Sequence, residues 1–406
     1  MSKSIKNILL LIPNLDFGGA QRVFHNMSEG LKDDYTIFEC VFNKYDGVSY
    51  PTSNTLIDLN IPGSSSYILK IYYFILRCIK LRRIKREYKI DVCISHLEGA
   101  DYVNILSKRN EKTILWVHGS KFYDGEIKGC LGWLQRNIFL PFLYKKADQI
   151  VCVSRDIREE LIHIFKLNSK KISVITNAFD VDKIYKLSLE EIEENYKPVF
   201  NGKVIITSGR LAIQKNQKAL LKVFYLLKEI TDCKLVILGD GGLREQLVNE
   251  ARSLNLKVYS SWEKELVTSD CNVYFMGYKQ NPFKYIAHSS LFVLTSGWEG
   301  FPMALGEAMV CGIPVLSVDC PTGPKEMLAP SLTYQYITTD PVFAPYGILM
   351  PLLGKEEQVY ELWATTIAQV LNNENILSEY SKTSRQRIKD FSATSTIVKW
   401  KQTINQ

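Results

Sequence analysis

Two acids, Glu299 and Glu307, stand with seven residues between them in the stretch Ser296-Gly297-Trp298-Glu299-Gly300-Phe301-Pro302-Met303-Ala304-Leu305-Gly306-Glu307-Ala308-Met309. Short apolar runs at 291–294 and 313–318 flank it and read as buried parallel strands with a helix between them. Pro302 suits the first helical position, where its missing N–H costs nothing, and the amides of Met303, Ala304 and Leu305 then lack intrahelical partners. Amides so placed bind anions. Glu307 falls about 7 Å along the axis from the helix start, at ~1.5 Å per residue. A nucleoside diphosphate spans that gap, with phosphates on the helix end, ribose hydroxyls on Glu307 and a sugar toward Glu299. The competing reading makes Glu307 a solvated acid or half of a helical ion pair, but the positions three and four away hold Met303, Ala304, Val310 and Cys311, none of them basic.

Further candidates follow other apolar runs. The run 204–208 ends in Gly209-Arg210-Leu211-Ala212-Ile213-Gln214-Lys215-Asn216, whose two cations could clamp a diphosphate or simply lie on the surface. Gly239-Asp240-Gly241-Gly242 follows the run 234–238 and suits a close-approach turn, but Arg244 stands where a dinucleotide fingerprint wants glycine. Met276-Gly277-Tyr278 closes the run 273–276, where Tyr278 either meets a base or packs. In the first half, Gly18-Gly19 turns a strand at 6–12 into a helix, an order that presents amides to phosphate. His118 ends the run 113–117; a lone histidine is more often structural, and the strand-end position favours a ligand. Asp180-Val181-Asp182 has the look of a cation pair, yet it follows no core strand and reads as structural. No Ser-His-Asp or metal-ligand cluster is visible, and no cofactor is expected.

The elements that must hold these residues repeat in tandem. Apolar runs at 35–42, 92–95, 113–117, 150–153 and 172–175 continue the first strand, and runs at 203–208, 234–238, 273–276, 291–294 and 315–318 form a second series. Helix-compatible sequence separates successive runs, the pattern of doubly wound α/β domains. At 406 residues the chain exceeds one core. The reading is a first domain over 1–184, an acidic linker over 185–202, a second domain over 203–378, and a tail over 379–406. A cleft between facing strand ends is the default ligand site.

The composition, 46% hydrophobic and 23% charged, is that of a globular protein. The run 8–12 is too short for a signal or membrane segment, so the expected location is the cytoplasm. Nine cysteines lack any C-x-x-C spacing and read as free thiols of a reducing compartment. The net charge of +7 is unevenly spread: 70–89 carries eight basic residues against Glu87, following an aromatic run at 67–76. Segment 67–89 therefore reads either as a peripheral contact with an anionic membrane surface or as a partly buried helix with a solvated end.

Gly18-Gly19, His118, Gly209-Arg210 with Lys215, Gly239-Asp240-Gly241, Gly277 and Glu299-x7-Glu307 stand in an order and spacing that resembles the retaining GT-B glycosyltransferases of family four, over nearly the whole chain. The resemblance implies two Rossmann-like doubly wound parallel-sheet domains facing across a cleft, no obligatory metal, and a C-terminal helix returning to the first domain. It implies that Arg210 and Lys215 bind the diphosphate of a UDP-sugar, Glu307 the ribose, Glu299 the transferred sugar, and amides near Phe301, Met303 and Ala304 the phosphate and sugar. Gly19 and His118 would approach from the first domain. Asp319-Cys320-Pro321-Thr322-Gly323-Pro324-Lys325-Glu326 resembles members that build surface polysaccharide or lipopolysaccharide by moving a hexose or N-acetylhexosamine to a glycan acceptor, often polyprenyl-linked. A nucleotide-sugar epimerase of the same architecture and a catalytically silent partner protein are the alternatives. No nucleic-acid partner is expected.

Overall fold

A computed structural model describes residues 5–16, 18–44, 50–52, 54–124, 129–263 and 266–406, apart from the side chains of Cys130 and Leu131. Phe17 of the glycine turn, and two positions of the segment 257–271 ahead of the expected strand at 273, lie outside the described residues. The chain divides into two compact units, one formed by 1–178 with 393–406 and the other by 179–392.

The first unit is a seven-stranded parallel sheet built from β1 (Asn7–Ile12), β2 (Thr36–Val41), β3 (Thr55–Asp58), β4 (Val92–His96), β5 (Lys112–Val117), β6 (Gln149–Cys152) and β7 (Ile172–Val174). Its order is β3-β2-β1-β4-β5-β6-β7, so the chain steps outward from β1 in one direction, then crosses back to lay β4 on β1's other side. Leu9, Leu10 and Leu11 have no exposed surface, as a central strand covered by helices on both faces requires. The C-terminal helix Ala393–Asn405 belongs to this unit: Trp400 packs on Trp116 with ring centroids 4.4 Å apart, and Lys112 Nζ donates to the Thr403 carbonyl at 2.6 Å.

The second unit carries β8 (Val204–Ser208), β9 (Lys234–Leu238), β10 (Val258–Ser260), β11 (Val273–Gly277), β12 (Leu291–Leu294), β13 (Val315–Val318), β14 (Val342–Ala344) and β15 (Gly347–Met350). The order is β10-β11-β9-β8-β12-β13-β15-β14, parallel except for the β14–β15 hairpin at one edge. The two parallel doubly wound sheets are the architecture expected from the alternating runs.

Domain bounds differ from the sequence reading in two places. Residues 185–202 are part of the second unit, where Asn281 Nδ2 donates to the Leu187 carbonyl and to Glu190 at 2.8 Å, and Lys284 pairs with Glu193. Glu190 and Glu193 thus tie the segment to that unit, while Glu191 and Glu194 stay solvent-exposed and pair with Lys197. The tail is also shorter than 379–406: helix Glu374–Ile388 stays in the second unit, with Arg385 donating to the Cys311 carbonyl and Arg387 to the Met327 carbonyl. Phe179 N–H bonds the Phe391 carbonyl at 2.9 Å, so the chain enters and leaves the second unit at adjacent points.

Helix Tyr67–Glu87 revises the basic-segment reading. Lys85 turns inward, pairing with Glu111 at 2.8 Å, while Arg77, Lys80 and Arg82 donate to carbonyls of the chain. Their stems cover apolar surface and their heads satisfy loop ends, so four of the eight cations serve the fold. The other half of the helix keeps Tyr67, Ile68, Ile71, Tyr72 and Ile75 exposed. Among the described residues no helix is long and apolar enough to cross a membrane.

Candidate functional site

In the second unit the chain leaves β8 toward β9 on one side and returns through β12 to its other side, so the topological switch point lies between β8 and β12. Ligands of open α/β sheets bind at such points, beyond the carboxyl ends of the strands. Arg210 and Lys215 follow β8, and Glu299 with helix Met303–Cys311 follows β12. The candidates that were far apart in sequence are thus brought to one edge.

The loops after these two strands are laced together. Gly297 N–H bonds the Gln214 carbonyl at 2.8 Å, Gln214 Nε2 returns a bond to the Trp298 carbonyl at 2.9 Å, and Thr295 Oγ1 donates to the Lys215 carbonyl at 3.2 Å. A third loop, after β13, joins them: Glu299 N–H bonds the Pro321 carbonyl and Thr322 N–H bonds the Glu299 carbonyl. The backbone of Glu299 is therefore fixed on both sides. Its carboxylate is nearly buried, and Oε1 accepts from Lys215 Nζ at 2.6 Å and from the fully buried Ser296 hydroxyl at 2.7 Å. Oε2 has no partner among the described residues. Arg210 is exposed, and its side chain has no partner among the described residues.

Two glycines permit this approach of backbones. Gly239 has φ +130°, and a Cβ there would stand 2.0 Å from the Gly209 carbonyl oxygen; a Cβ on Gly241 would stand 2.4 Å from that of Leu211. Any side chain at either position would push β9's loop away from β8's.

Helix Met303–Cys311 starts one residue later than expected, since Pro302, at ψ 111°, is the N-cap. Gly306 N–H makes the first bond back, to the Pro302 carbonyl, so the amides of Met303, Ala304 and Leu305 still precede the helical ladder. Met303 and Ala304 are half-buried, Phe301 buried. Glu307 is buried between the first and last turns, which excludes the solvated-helix alternative. Tyr278 follows β11 and is exposed, beyond Gly277 at φ +67°. Asp180 is settled as structural: its carboxylate caps helix Val181–Ser188 by accepting from Lys183 N–H.

Comparison with known proteins agrees with this layout. The Glycosyltransferase Family 4 model matches residues 17–183, and the model described as Glycosyl transferases group 1 matches 189–335. An uncharacterized glycosyltransferase of Methanocaldococcus jannaschii is 31% identical over 367 residues, covering 83% of this chain and 85% of that protein. The chain belongs to glycosyltransferase family four. A second relative of this family-four glycosyltransferase is the N-acetylgalactosamine-N,N'-diacetylbacillosaminyl-diphospho-undecaprenol 4-alpha-N-acetylgalactosaminyltransferase of Campylobacter jejuni, 29% identical over 326 residues, 78% of this chain and 82% of that one. Among solved structures, Anabaena Alr3699/HepE in complex with UDP superposes with a TM-score of 0.72 at 15% identity, over 99% of this chain and 100% of the other, which shows the shared GT-B fold.

In the first unit of the glycosyltransferase, the equivalent switch point lies between β1 and β4. Gly18 and Gly19 follow β1, with Gly19 opening helix Gly19–Leu31. The turn is braced by side chains, Gln21 Nε2 donating to Asn14 Oδ1 and Asn14 Nδ2 to Asp16 Oδ2, each at 3.0 Å. His118 follows β5, two strands away from β1, and its ring nitrogen Nε2 lies 3.0 Å from Nδ1 of His96, the last residue of β4. Burial, then the nearby Lys121 charge, pushes the His118 pKa down to about 3, so the ring is neutral. The loop after His118 is pinned by Glu160, which accepts from the Ser120 hydroxyl at 2.5 Å and from Lys121 N–H at 2.6 Å.

Ser296, Thr322 and His96 are site residues that the sequence reading passed over. Ser296 sits three positions before Glu299, and a loop that must hold a carboxylate is a natural place to look for a hydroxyl donor. His96 needed the strand register, which pairs it with Trp116 rather than with His118 itself. The free thiols expected from the cysteine spacing are found at each of the eight cysteines whose side chains are described. Among the described residues no group of three or more His, Cys, Asp or Glu is placed to hold a metal ion.

Proposed function

We propose that this glycosyltransferase moves a hexose or N-acetylhexosamine from a UDP-sugar to a glycan acceptor, with retention of configuration, and that the acceptor is carried on a polyprenyl diphosphate. The observation that carries the donor half is the switch point between β8 and β12, where an exposed Arg210, a Lys215 paired with Glu299, free helix amides and two buried acids converge. A UDP complex of a protein with the same fold supports the nucleotide, and the diphospho-undecaprenol named for the Campylobacter relative supports the acceptor class.

In this reading the diphosphate lies on the Met303–Leu305 amides, with Arg210 and Lys215 on its oxygens and Glu307 on the ribose. Glu299 Oε2 accepts from a sugar hydroxyl, and Tyr278 borders the uracil. Phe301 and the amides of Met303 and Ala304 line the phosphate and sugar, and Gly241 keeps the β9 loop close enough to complete the wall. As the anomeric C–O bond to phosphate breaks, the pair of electrons passes to the leaving UDP, whose growing charge the two cations and the amides stabilise. The acceptor hydroxyl bonds to the same face of the anomeric carbon and gives its proton to the departing phosphate oxygen. No carboxylate is assigned as nucleophile; Glu299 orients. In the first unit Gly18, Gly19 and His118 are assigned to substrate contacts.

A panel of UDP-sugars tested for thermal stabilisation identifies the donor, since a ligand bound only by the native state raises apparent stability. Arg210→Ala and Lys215→Ala should each abolish turnover of that donor while circular dichroism is unchanged; near-normal turnover in both overturns the clamp. The anomeric coupling constant of the product reads retention directly.

A further inference from the structure

We propose that His96 is a positioning residue: it holds His118 in the tautomer that carries its proton on Nδ1, so that His118 presents a hydrogen-bond donor to a ligand oxygen. The proposal rests on the reading of His118 as a substrate contact.

The two rings are stacked at 17° with centroids 5.0 Å apart, and a single close contact joins them, His96 Nδ1 to His118 Nε2 at 3.0 Å. One proton fills it. His96 has no exposed surface and is enclosed by the rings of Phe24 and Trp116, at centroid distances of 5.1 and 4.9 Å. Its other nitrogen, Nε2, is buried and has no hydrogen-bond partner. His118 differs: it is half-buried, and its Nδ1 is neither enclosed nor partnered among the described residues. Burial depresses the basicity of both rings, so each carries one ring proton.

Two arrangements satisfy the contact. If His118 Nε2 donates, then His96 must hold its own proton on Nε2, and an N–H is left orphaned among aromatic rings. If His96 Nδ1 donates, the buried Nε2 is a bare lone pair and no N–H is orphaned. An orphaned buried N–H is the rarer defect in folded proteins. The second arrangement therefore prevails. Accepting at Nε2, His118 must carry its proton on Nδ1, the nitrogen that faces outward. The strand pairing makes this rigid: His96 lies opposite Trp116 in the β4–β5 ladder, and Trp116 touches both histidine rings. A hydroxyl or phosphate oxygen of a bound sugar nucleotide or glycan would meet a donor there.

The test uses the full chain with 15N-labelled histidine, whose five rings are assigned by single substitutions, His118→Gln among them. Long-range proton–nitrogen spectra distinguish the tautomers without any ligand. The expected wild-type spectrum shows His118 protonated on Nδ1 and bare on Nε2. In His96→Leu the proton bridge is gone, and His118 should pass to the Nε2–H form or a mixture, while kcat/KM for the donor selected by the thermal panel falls about threefold to tenfold, the worth of one net hydrogen bond. His96→Asn, whose amide can donate from the same direction, should restore the Nδ1–H form. A wild-type His118 protonated on Nε2 overturns the proposal even if His96→Leu does not fold, and so does a tautomer indifferent to His96→Leu. Full activity in His118→Gln, with the tautomer shift present, would instead overturn the substrate-contact reading and leave the proton bridge standing.

Discussion

Replacing Glu299 by glutamine should tighten the binding of free UDP while slowing sugar transfer. Lys215 Nζ is held 2.6 Å from Glu299 Oε1, with the lysine side chain 21% and the glutamate 7% exposed. If Lys215 serves a diphosphate, it must leave that partner. Exposed ion pairs contribute up to about 1 kcal/mol and breaking fully buried ones costs about 3–5 kcal/mol; this pair, largely covered but with the lysine still reached by water, should lie near ~1.5 kcal/mol. Glutamine keeps the Ser296 bond and a carbonyl for Lys215 but removes the charge, so roughly half of that cost remains, and UDP should bind about threefold to fivefold tighter. UDP carries no sugar, so the loss of the sugar contact does not enter this measurement. It enters turnover, where one charge-assisted hydrogen bond of about 1.5–3 kcal/mol predicts a tenfold to hundredfold fall in kcat. Calorimetric titration with UDP at fixed low salt reads the first effect. In the Lys215→Ala background, Glu299→Gln should leave UDP affinity unchanged, since the competing pair no longer exists. Weaker UDP binding to Glu299→Gln in the wild-type background would refute the competition.

Three other perturbations follow from the packing. Gly306→Ala should destabilise the protein by about 1–3 kcal/mol although alanine is the better helix former, because its Cβ would stand 2.1 Å from the Phe179 ring; urea denaturation decides the sign. Burial, against the partial relief of Lys121, Ser95 and Tyr144, pushes the Asp101 carboxyl up to about 7. Its folded state therefore holds a proton that the unfolded chain releases near pH 4, so this contribution is full below that pH and is lost as pH rises through about 7. Asp101→Asn should flatten that part of the stability profile in chemical denaturation. The chain should co-sediment with phosphatidylglycerol vesicles at low salt, and Ile68→Asp with Ile71→Asp should abolish it, because these residues are 80% and 63% exposed beside Lys70; failure of the wild type to pellet removes the membrane contact.

The central strands of both sheets were legible because a parallel strand covered on both faces must be apolar throughout, and 234–238, 291–294 and 315–318 coincide with β9, β12 and β13. Of the missed strands, β3, β10 and β14 sit at sheet edges and are only three or four residues long, and Thr55 with Asp58 leaves β3 only two apolar residues. β15 is buried throughout but is a four-residue run that opens on Gly347, too short to announce a strand. Basic residues misled for a related reason. Composition counts the charges of Lys80 and Lys85 but not their four-carbon stems, which let the one reach the Leu59 carbonyl and the other a buried Glu111.

The site was legible as a set of strand ends, and what remained hidden is how those ends are joined. Sequence spacing puts Lys215 and Glu299 each one loop beyond a strand, but only the order β9-β8-β12-β13 makes those loops neighbours. Once adjacent, their pairing gives an argument that neither motif contains. Oε1 of Glu299 is occupied by Lys215 and Ser296 together, and Oε2 is left open. When the lysine departs for a phosphate, Ser296 alone keeps the carboxylate oriented, so the hydroxyl matters most in the loaded enzyme. Ser296→Ala should then leave UDP affinity within about twofold, because a lost neutral bond of ~1 kcal/mol acts on Glu299 and not on the diphosphate, yet lower kcat with the intact UDP-sugar by about fivefold. Equal losses in both measurements would place Ser296 in the general packing of the loop and remove its role in holding the acid.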